Sequence, residues 1–188
     1  MYQMLNILSF IRFFNLFIAS LTVYLCFNLL HCYNYIQLFL CVGVVVFSMI
    51  FGNIMNDLMD IKTDAINRPN RLLVKKRITV SQAKLMLFIA VLALCSLLSF
   101  LSYKALLFYC FLFCLLVFYN VFLKKTPFIG NVIISFLLSS VVIFTELVIL
   151  GNFKKLLPLA LLAFYISVIR EVIKDLEDYK GDKKTNYY

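Results

Sequence analysis

Residues 36–64 read IQLFLCVGVVVFSMIFGNIMNDLMDIKTD, an apolar run that passes without interruption into a cluster of carboxylates. Between Ile36 and Met55 the polar side chains are Gln37, Ser48 and Asn53. The run therefore has the length, about 20 residues, that a helix needs to cross the hydrocarbon core of a bilayer. The carboxylates beyond it, Asp57, Asp60 and Asp64, are spaced i, i+3 and i+7. On a helix those positions share one face, so the stretch predicts a membrane helix that ends in an acidic surface.

The rest of the chain repeats the apolar half of this pattern. Hydrophobic residues make up 64% of the 188 residues and charged ones 14%, against about 45–50% and about 25% in soluble domains. A soluble globule of this size has too little polar surface to cover so much Leu, Phe, Ile and Val. Further apolar runs lie at about 8–30, 82–102, 105–123, 129–150 and 156–173, beside the one at 36–56. The prediction is an all-α, multi-pass transmembrane helical bundle of six spans forming a single domain over residues 1–188. The first run exceeds the core of a signal peptide and has no small-residue cleavage site, so it is expected to remain as the first span.

Charge sorts to one side of this bundle. The net charge is +9, from 18 Lys and Arg against 9 Asp and Glu, and a basic balance can mean nucleic acid or an anionic membrane face. The basic residues fall between the apolar runs, which favours the membrane. Only Lys104, Lys154 and Lys155 fall on one side of the six-span topology; the other Lys and Arg share the opposite side, predicted to be cytoplasmic and to hold both termini. Lys75, Lys76 and Arg77 read as topology-setting charges there. All the acids except Glu146 also lie on that side. Glu146, within the fifth run, either faces a pocket or is satisfied inside the bundle. His31 reads as an interfacial residue. Cys26, Cys32, Cys41, Cys95, Cys110 and Cys114 lack the spacing of a disulfide framework or zinc site and read as small buried hydrophobes.

After the sixth run, Asp175, Asp178 and Asp182 repeat the i, i+3, i+7 spacing on the same predicted side. Three carboxylates on one face raise one another's pKa unless a cation neutralises them. Oxygen-only ligation suits a hard ion such as Mg²⁺, which shares its coordination shell with water and phosphates. Bases flank both strings: Arg68 and Arg71 come after the first, Lys124 and Lys125 occupy the intervening loop, and Arg170 and Lys174 precede the second. Such groups clamp phosphate oxygens, Arg through a fork and Lys as a point charge. The two strings are thus expected to face each other across one pocket that holds metal and diphosphate.

These residues resemble the UbiA superfamily of intramembrane prenyltransferases. Its first signature is met by Asn56 to Asp64 followed by Asn67-Arg68-Pro69-Asn70-Arg71, and its second by Asp175-Leu176-Glu177-Asp178-Tyr179-Lys180-Gly181-Asp182. Supporting matches are Arg12 with Asn15, Tyr119-Asn120 before Lys124 and Lys125, and Gly130-Asn131. Within the superfamily, Arg170 to Asp175 looks most like the geranylgeranylglyceryl phosphate geranylgeranyltransferases, or digeranylgeranylglyceryl phosphate synthases, of ether lipid synthesis. Aromatic prenyltransferases of quinone synthesis, acting on 4-hydroxybenzoate or homogentisate, share parts of the pattern. Where many members continue the first signature with Pro, Leu, Pro and Gly, this chain has Leu72 to Lys76, which predicts a looser turn.

The resemblance implies a Mg²⁺-dependent enzyme of the inner, or cell, membrane that transfers a prenyl group from a polyprenyl diphosphate, such as geranylgeranyl diphosphate, to a lipophilic acceptor; nucleic acid is not a partner. Asp57, Asp60, Asp64, Asp175, Asp178 and Asp182 would be its catalytic metal ligands. Arg12, Asn15, Asn56, Arg68, Arg71, Tyr119, Lys124, Arg170 and Lys174 would bind substrate. The family usually has about nine spans, so a chain of six is expected to lack the closing three helices, as a fragment, a truncated gene product or half of a complex. Readings from other classes are a divalent-cation carrier and an inactive fragment.

Overall fold

The computed structural model describes residues 2–124, 126 and 128–184, with side chains from Asn6 to Glu177 apart from Lys125 and Pro127. The chain begins with a short helix, α1 (Tyr2–Phe10), followed by α2 (Phe13–Leu29). Between them Arg12 takes a left-handed conformation, φ 58° and ψ 55°, which costs an L-residue with a Cβ roughly 1–2 kcal/mol. This break starts the first long helix at Phe13, later than the apolar run at 8–30 suggests.

The next helices start where polar side chains can cap them. Asn34 accepts hydrogen bonds from the Ile36 and Gln37 amides and opens α3 (Tyr35–Met59). The short α4 (Ile61–Asn67) comes directly after it. Thr79 and Gln82 form a reciprocal capping box at the start of α5 (Val80–Leu98). Next come α6 (Tyr103–Phe118), a π-helical turn at Tyr119–Leu123, α7 (Ile129–Leu150) and α8 (Leu157–Lys184). Gly151, at φ 69°, ends α7 in the left-handed conformation that glycine adopts without strain.

Among the described residues, Tyr35–Met59, Val80–Leu98, Tyr103–Leu123 and Ile129–Leu150 are long and apolar enough to cross a membrane. The first and sixth expected spans, α2 and α8, are less regular. Helix α2 has 17 residues. Helix α8 has 28, roughly 42 Å of helix at 1.5 Å per residue, so its charged end extends beyond a hydrocarbon core of about 30 Å. Outward faces are apolar throughout: Phe14, Phe17, Phe39, Phe88, Phe111, Tyr165 and Ile169 are all exposed. Such a surface belongs in lipid, and the chain is an integral membrane protein with an all-helical fold.

Successive long helices alternate in direction, so the start of α2, the ends of α3 and α6, the start of α7 and the end of α8 gather at one end of the bundle. Its centre is a cluster of Val23, Phe27, Cys41, Val44, Leu94, Tyr109 and Phe144, drawn from α2, α3, α5, α6 and α7. A second cluster, Phe10, Ile54, Leu73, Ile78 and Ala83, packs the end of α1 and the 68–79 segment against α3 and α5. That segment is tightly turned, contrary to the looser turn expected: the Lys75 amide donates to the Arg71 carbonyl, and the Lys76 and Arg77 amides fold back on Leu73 and Leu72. Burying Leu73 and Ile78 supplies the compactness that Pro and Gly would otherwise provide. The cysteines also differ from expectation. Cys26 and Cys41 are buried, but Cys95, Cys110 and Cys114 are exposed on outward faces, where a thiol is apolar enough for lipid.

A polar pair spans this core, with Ser48 Oγ 2.9 Å from Tyr109 Oη and also donating to the Val44 carbonyl at 2.6 Å. Interhelical hydrogen bonds in membranes contribute about 0.6 kcal/mol on average. Tyr109→Phe leaves Ser48 with its backbone partner, so it should lower stability in detergent by about 1 kcal/mol or less. Thermal unfolding followed by circular dichroism checks this, and a loss of several kcal/mol would contradict it.

Candidate active site

The first aspartate string does not lie on one continuous helix. Helix α3 ends at Met59, Asp60 sits at the junction with φ −97° and ψ 7°, and α4 begins at Ile61. The backbone is only gently interrupted, because the Asp60 amide donates to the Asn56 carbonyl and the Asp64 amide to the Asp60 carbonyl. Asp57 therefore belongs to the last turn of α3, Asp60 to the junction and Asp64 to α4. Asp57 and Asp64 are buried.

Each of these carboxylates is met by a base from elsewhere in the chain. Asp57 Oδ1 accepts from Arg12 Nη2 at 2.6 Å and from Arg71 Nη1 at 2.5 Å. Arg71 Nε also stands 3.9 Å from Asp64 Oδ2. Lys124 Nζ donates to Asp60 Oδ2. Burial pushes the Lys124 ammonium below its ordinary pKa, and the Asp60 carboxylate opposes that shift. Burial also raises the Asp64 pKa, with Arg71 opposing and Asp60 and Asp57 adding to the rise.

Local backbone geometry delivers these bases. The left-handed turn at Arg12 is fastened by Phe10 in the core and by Asn53 Nδ2, which donates to the Ile11 carbonyl at 3.2 Å. Lys124 comes just after the π-helical turn, closed by its own amide donating to the Tyr119 carbonyl. A π turn contains one residue more than an α turn, which rotates the succeeding residues by about 100°. It presents Lys124 where Leu123 would otherwise stand. Gly130 then lets the first turn of α7 approach this segment, since a Cβ there would be 2.9 Å from the Leu123 carbonyl oxygen.

Helix α8 joins the cluster at the same end. It packs on α4, and Lys174 is within electrostatic reach of Lys124. Asp175 Oδ2 accepts from Asn131 Nδ2 of α7 at 2.7 Å. Arg170 and Lys174 pair with the buried Glu171, at 3.2 and 3.0 Å. Asn15 lies in the first turn of α2, its amide donating to the Arg12 carbonyl. Asn56 precedes Asp57, Tyr119 is buried in the π turn, and Arg68 caps the end of α4 within electrostatic reach of Arg12. The side chains of Asp178 and Asp182 lie outside the described residues.

Sequence reasoning did not assign a site role to Asn131 or Glu171. Asn131 had a signal, its place beside Gly130; the pairing of Glu171 with bases at i−1 and i+3 was visible only as a mixed-charge run. Glu146 is resolved in favour of the bundle interior, since its carboxylate accepts from the backbone amides of Lys154, Lys155 and Leu156 at the opposite membrane end.

The donor chemistry suits a hard divalent cation, because the acidic groups offer carboxylate oxygen alone and Asp64 is buried among like charges. Among the described residues, no group of three or more His, Cys, Asp or Glu side chains stands ready to enclose an ion. Asp57 Oδ1 and Asp60 Oδ2 are paired instead with the chain's own cations, Arg12, Arg71 and Lys124.

A membrane bundle with alternating carboxylates and bases at one end is suited to binding a charged group beside an apolar chain. Residues 15–188 match the UbiA prenyltransferase family, and the chain belongs to that family. Digeranylgeranylglyceryl phosphate synthase of Methanococcus maripaludis is 36% identical over 152 residues, covering 76% of this chain and 51% of that protein. The protein of the same name from Pyrococcus horikoshii is 36% identical over 149 residues, 75% of this chain and 50% of that one. A solved structure, described as "Structural and mechanistic insights into the biosynthesis of Digeranylgeranylglyceryl phosphate synthase in membranes", superposes with a TM-score of 0.78 at 30% identity, over 98% of this chain and 66% of that one. The chain spans about half the length of the curated relatives it matches.

The geometry makes two outcomes testable. A carboxylate whose folded pKa is raised opposes folding when ionised, so stability gains as pH falls from above that raised pKa toward the ordinary carboxylate value. Asp64→Asn should accordingly hold or raise the unfolding temperature at pH 7 with chelator present, and a clear drop would contradict the burial argument. Gly130→Ala should displace the π turn and cost about 1–3 kcal/mol by overpacking, read as a lower unfolding temperature.

Proposed function

We propose that this chain activates a polyprenyl diphosphate for transfer to a lipophilic acceptor, with geranylgeranyl diphosphate as donor and geranylgeranylglyceryl phosphate as acceptor. The observation that carries this reading is the convergence of Arg12, Arg71 and Lys124 on Asp57 and Asp60 at one end of a lipid-facing bundle. The names of the relatives support the choice of acceptor. A 4-hydroxybenzoate or homogentisate acceptor would use the same donor site.

The donor's allylic C–O bond breaks with its electron pair going to the diphosphate, and the acceptor oxygen forms the new C–O bond as it loses its proton. Negative charge grows on the leaving group along this path. Fixed cations aimed at that charge stabilise the transition state more than the ground state. Arg12 and Arg71 offer guanidinium forks and Lys124 a point charge. Each is already desolvated against a carboxylate, so moving to a phosphate oxygen exchanges one anionic partner for another. Asp57, Asp60 and Asp64, together with Asp175, Asp178 and Asp182, would hold Mg²⁺. When bound, the ion adds positive charge at the diphosphate oxygens and makes it a better leaving group.

The apolar tail would lie along the helices, where Phe and Tyr side chains would supply apolar walls. Lys and Arg asymmetry favours a site on the cytoplasmic side of the cell membrane. The cation-carrier reading loses its one intramembrane acid, because Glu146 is committed to backbone amides.

In a protein of full family length, Asp60→Ala or Asp178→Ala should reduce Mg²⁺-dependent transfer of a labelled prenyl diphosphate by at least about 100-fold, on the scale of a lost electrostatic contact, while leaving membrane insertion intact. Full activity in either variant would contradict the assignment. Calorimetry separates the alternatives: prenyl diphosphate binding that requires Mg²⁺ supports the transferase, whereas metal binding indifferent to diphosphate supports a carrier.

A further inference from the structure

Glu146 is a carboxylate this chemistry does not use. It is fully buried near the end of α7, at the opposite membrane end from the aspartates. Its Oε1 accepts from the Lys154 and Lys155 amides at 2.9 and 2.7 Å, and its Oε2 from the Leu156 amide at 2.8 Å. Those amides belong to the segment leading into α8, where donors have no intrahelical acceptor. A buried carboxylate holding three of them makes charge-assisted bonds, stronger than neutral ones.

The same helix holds α8 a second time. Asn131, 15 residues earlier on α7 and so roughly 22 Å away along its axis, donates to Asp175. Near Glu146 the two helices meet through apolar and small side chains, Val142 and Ile143 of α7 with Leu156, Leu159 and Ala160 at the start of α8. In lipid such surfaces have little hydrophobic reason to prefer one register over another, so the polar contacts decide it. A slip of one residue would turn Asp175 by about 100° and move it about 1.5 Å.

We propose that Glu146 is a positioning residue: by fixing the start of α8 against α7, it sets the register in which α8 presents Asp175 to the site. Its effect on ligand binding rests on the prenyl diphosphate reading above. Its effect on α8 does not.

The test uses the full chain in nanodiscs, with nitroxide labels on a ketone-bearing amino acid at positions 62 and 176, so that the native cysteines remain. Both native residues are exposed. Electron-electron resonance measures the distance between the labels, and Mn²⁺ with geranylgeranyl S-thiolodiphosphate serves as the binding probe. Glu146→Gln should at least double the width of the distance distribution and weaken the probe at least fivefold. Glu146→Asp, which keeps the charge but falls one methylene short, should give a smaller change of the same sign and covers the case in which the Gln variant does not fold. Asn131→Ala should broaden the distribution as well. A lower unfolding temperature with unchanged distances and probe affinity would make Glu146 a cap of the outer loop alone and overturn the proposal. Broadened distances in a protein whose wild type binds no thiolodiphosphate would uphold the role of Glu146 and remove the prenyl diphosphate reading.

Discussion

Asp57 is a nearly buried carboxylate at the end of a membrane helix, and it accepts from two guanidinium groups. A charge in such a place is tolerated only with opposite charge and hydrogen bonds around it. One partner comes from the beginning of the chain and the other from the loop after α4. Satisfying Asp57 therefore draws Arg12 into a left-handed turn, closes the first helix break against α3, and folds the 68–79 segment back over the bundle end. The strain at Arg12 is offset by the ion pair, by the burial of Phe10 and by the bond from Asn53.

The same logic extends across the site. Asp60 takes Lys124, which only the π turn can aim at it, and Gly130 makes room for that turn. Asp175 takes Asn131, which fastens α8 to α7. The result is a largely buried set of acids and bases that pair with one another. Such a set has two demands at once. A metal ion alone would displace bases from their carboxylates and leave them uncompensated, and a diphosphate alone would do the same to the acids. On the proposed reading, metal and diphosphate arriving together would leave both the acids and the bases with partners of opposite charge.

Much of this was legible in the sequence where a single side chain or a periodic run decides the matter. The apolar runs give the helices, the i, i+3, i+7 spacing marks Asp57, Asp60 and Asp64, and the Lys and Arg near them include the bases that pair with them. Features set by distant partners were not legible. Nothing local to Arg12 predicts a left-handed residue, because the preference arises from Asp57, 45 positions away. The break at Asp60 and the π turn at Tyr119–Leu123 likewise answer tertiary contacts. Glu146 could be flagged as an acid within a span, but its acceptance of three amides depends on how α7 meets the next connection. The pairing of Glu171 with Arg170 and Lys174 likewise showed in the sequence only as a run of mixed charge.

The central claim is that Asp57 and its guanidinium partners act as one unit that holds the site closed on itself. A double-mutant cycle on Arg12→Gln and Asp57→Asn, read as unfolding free energy in chelator-treated, detergent-solubilised protein, tests it most directly. The account predicts that the two losses are coupled by about 1.5 kcal/mol or more, as expected of groups in one ion-pair network. Losses that add to within about 0.5 kcal/mol would show the two side chains to be independent and contradict it.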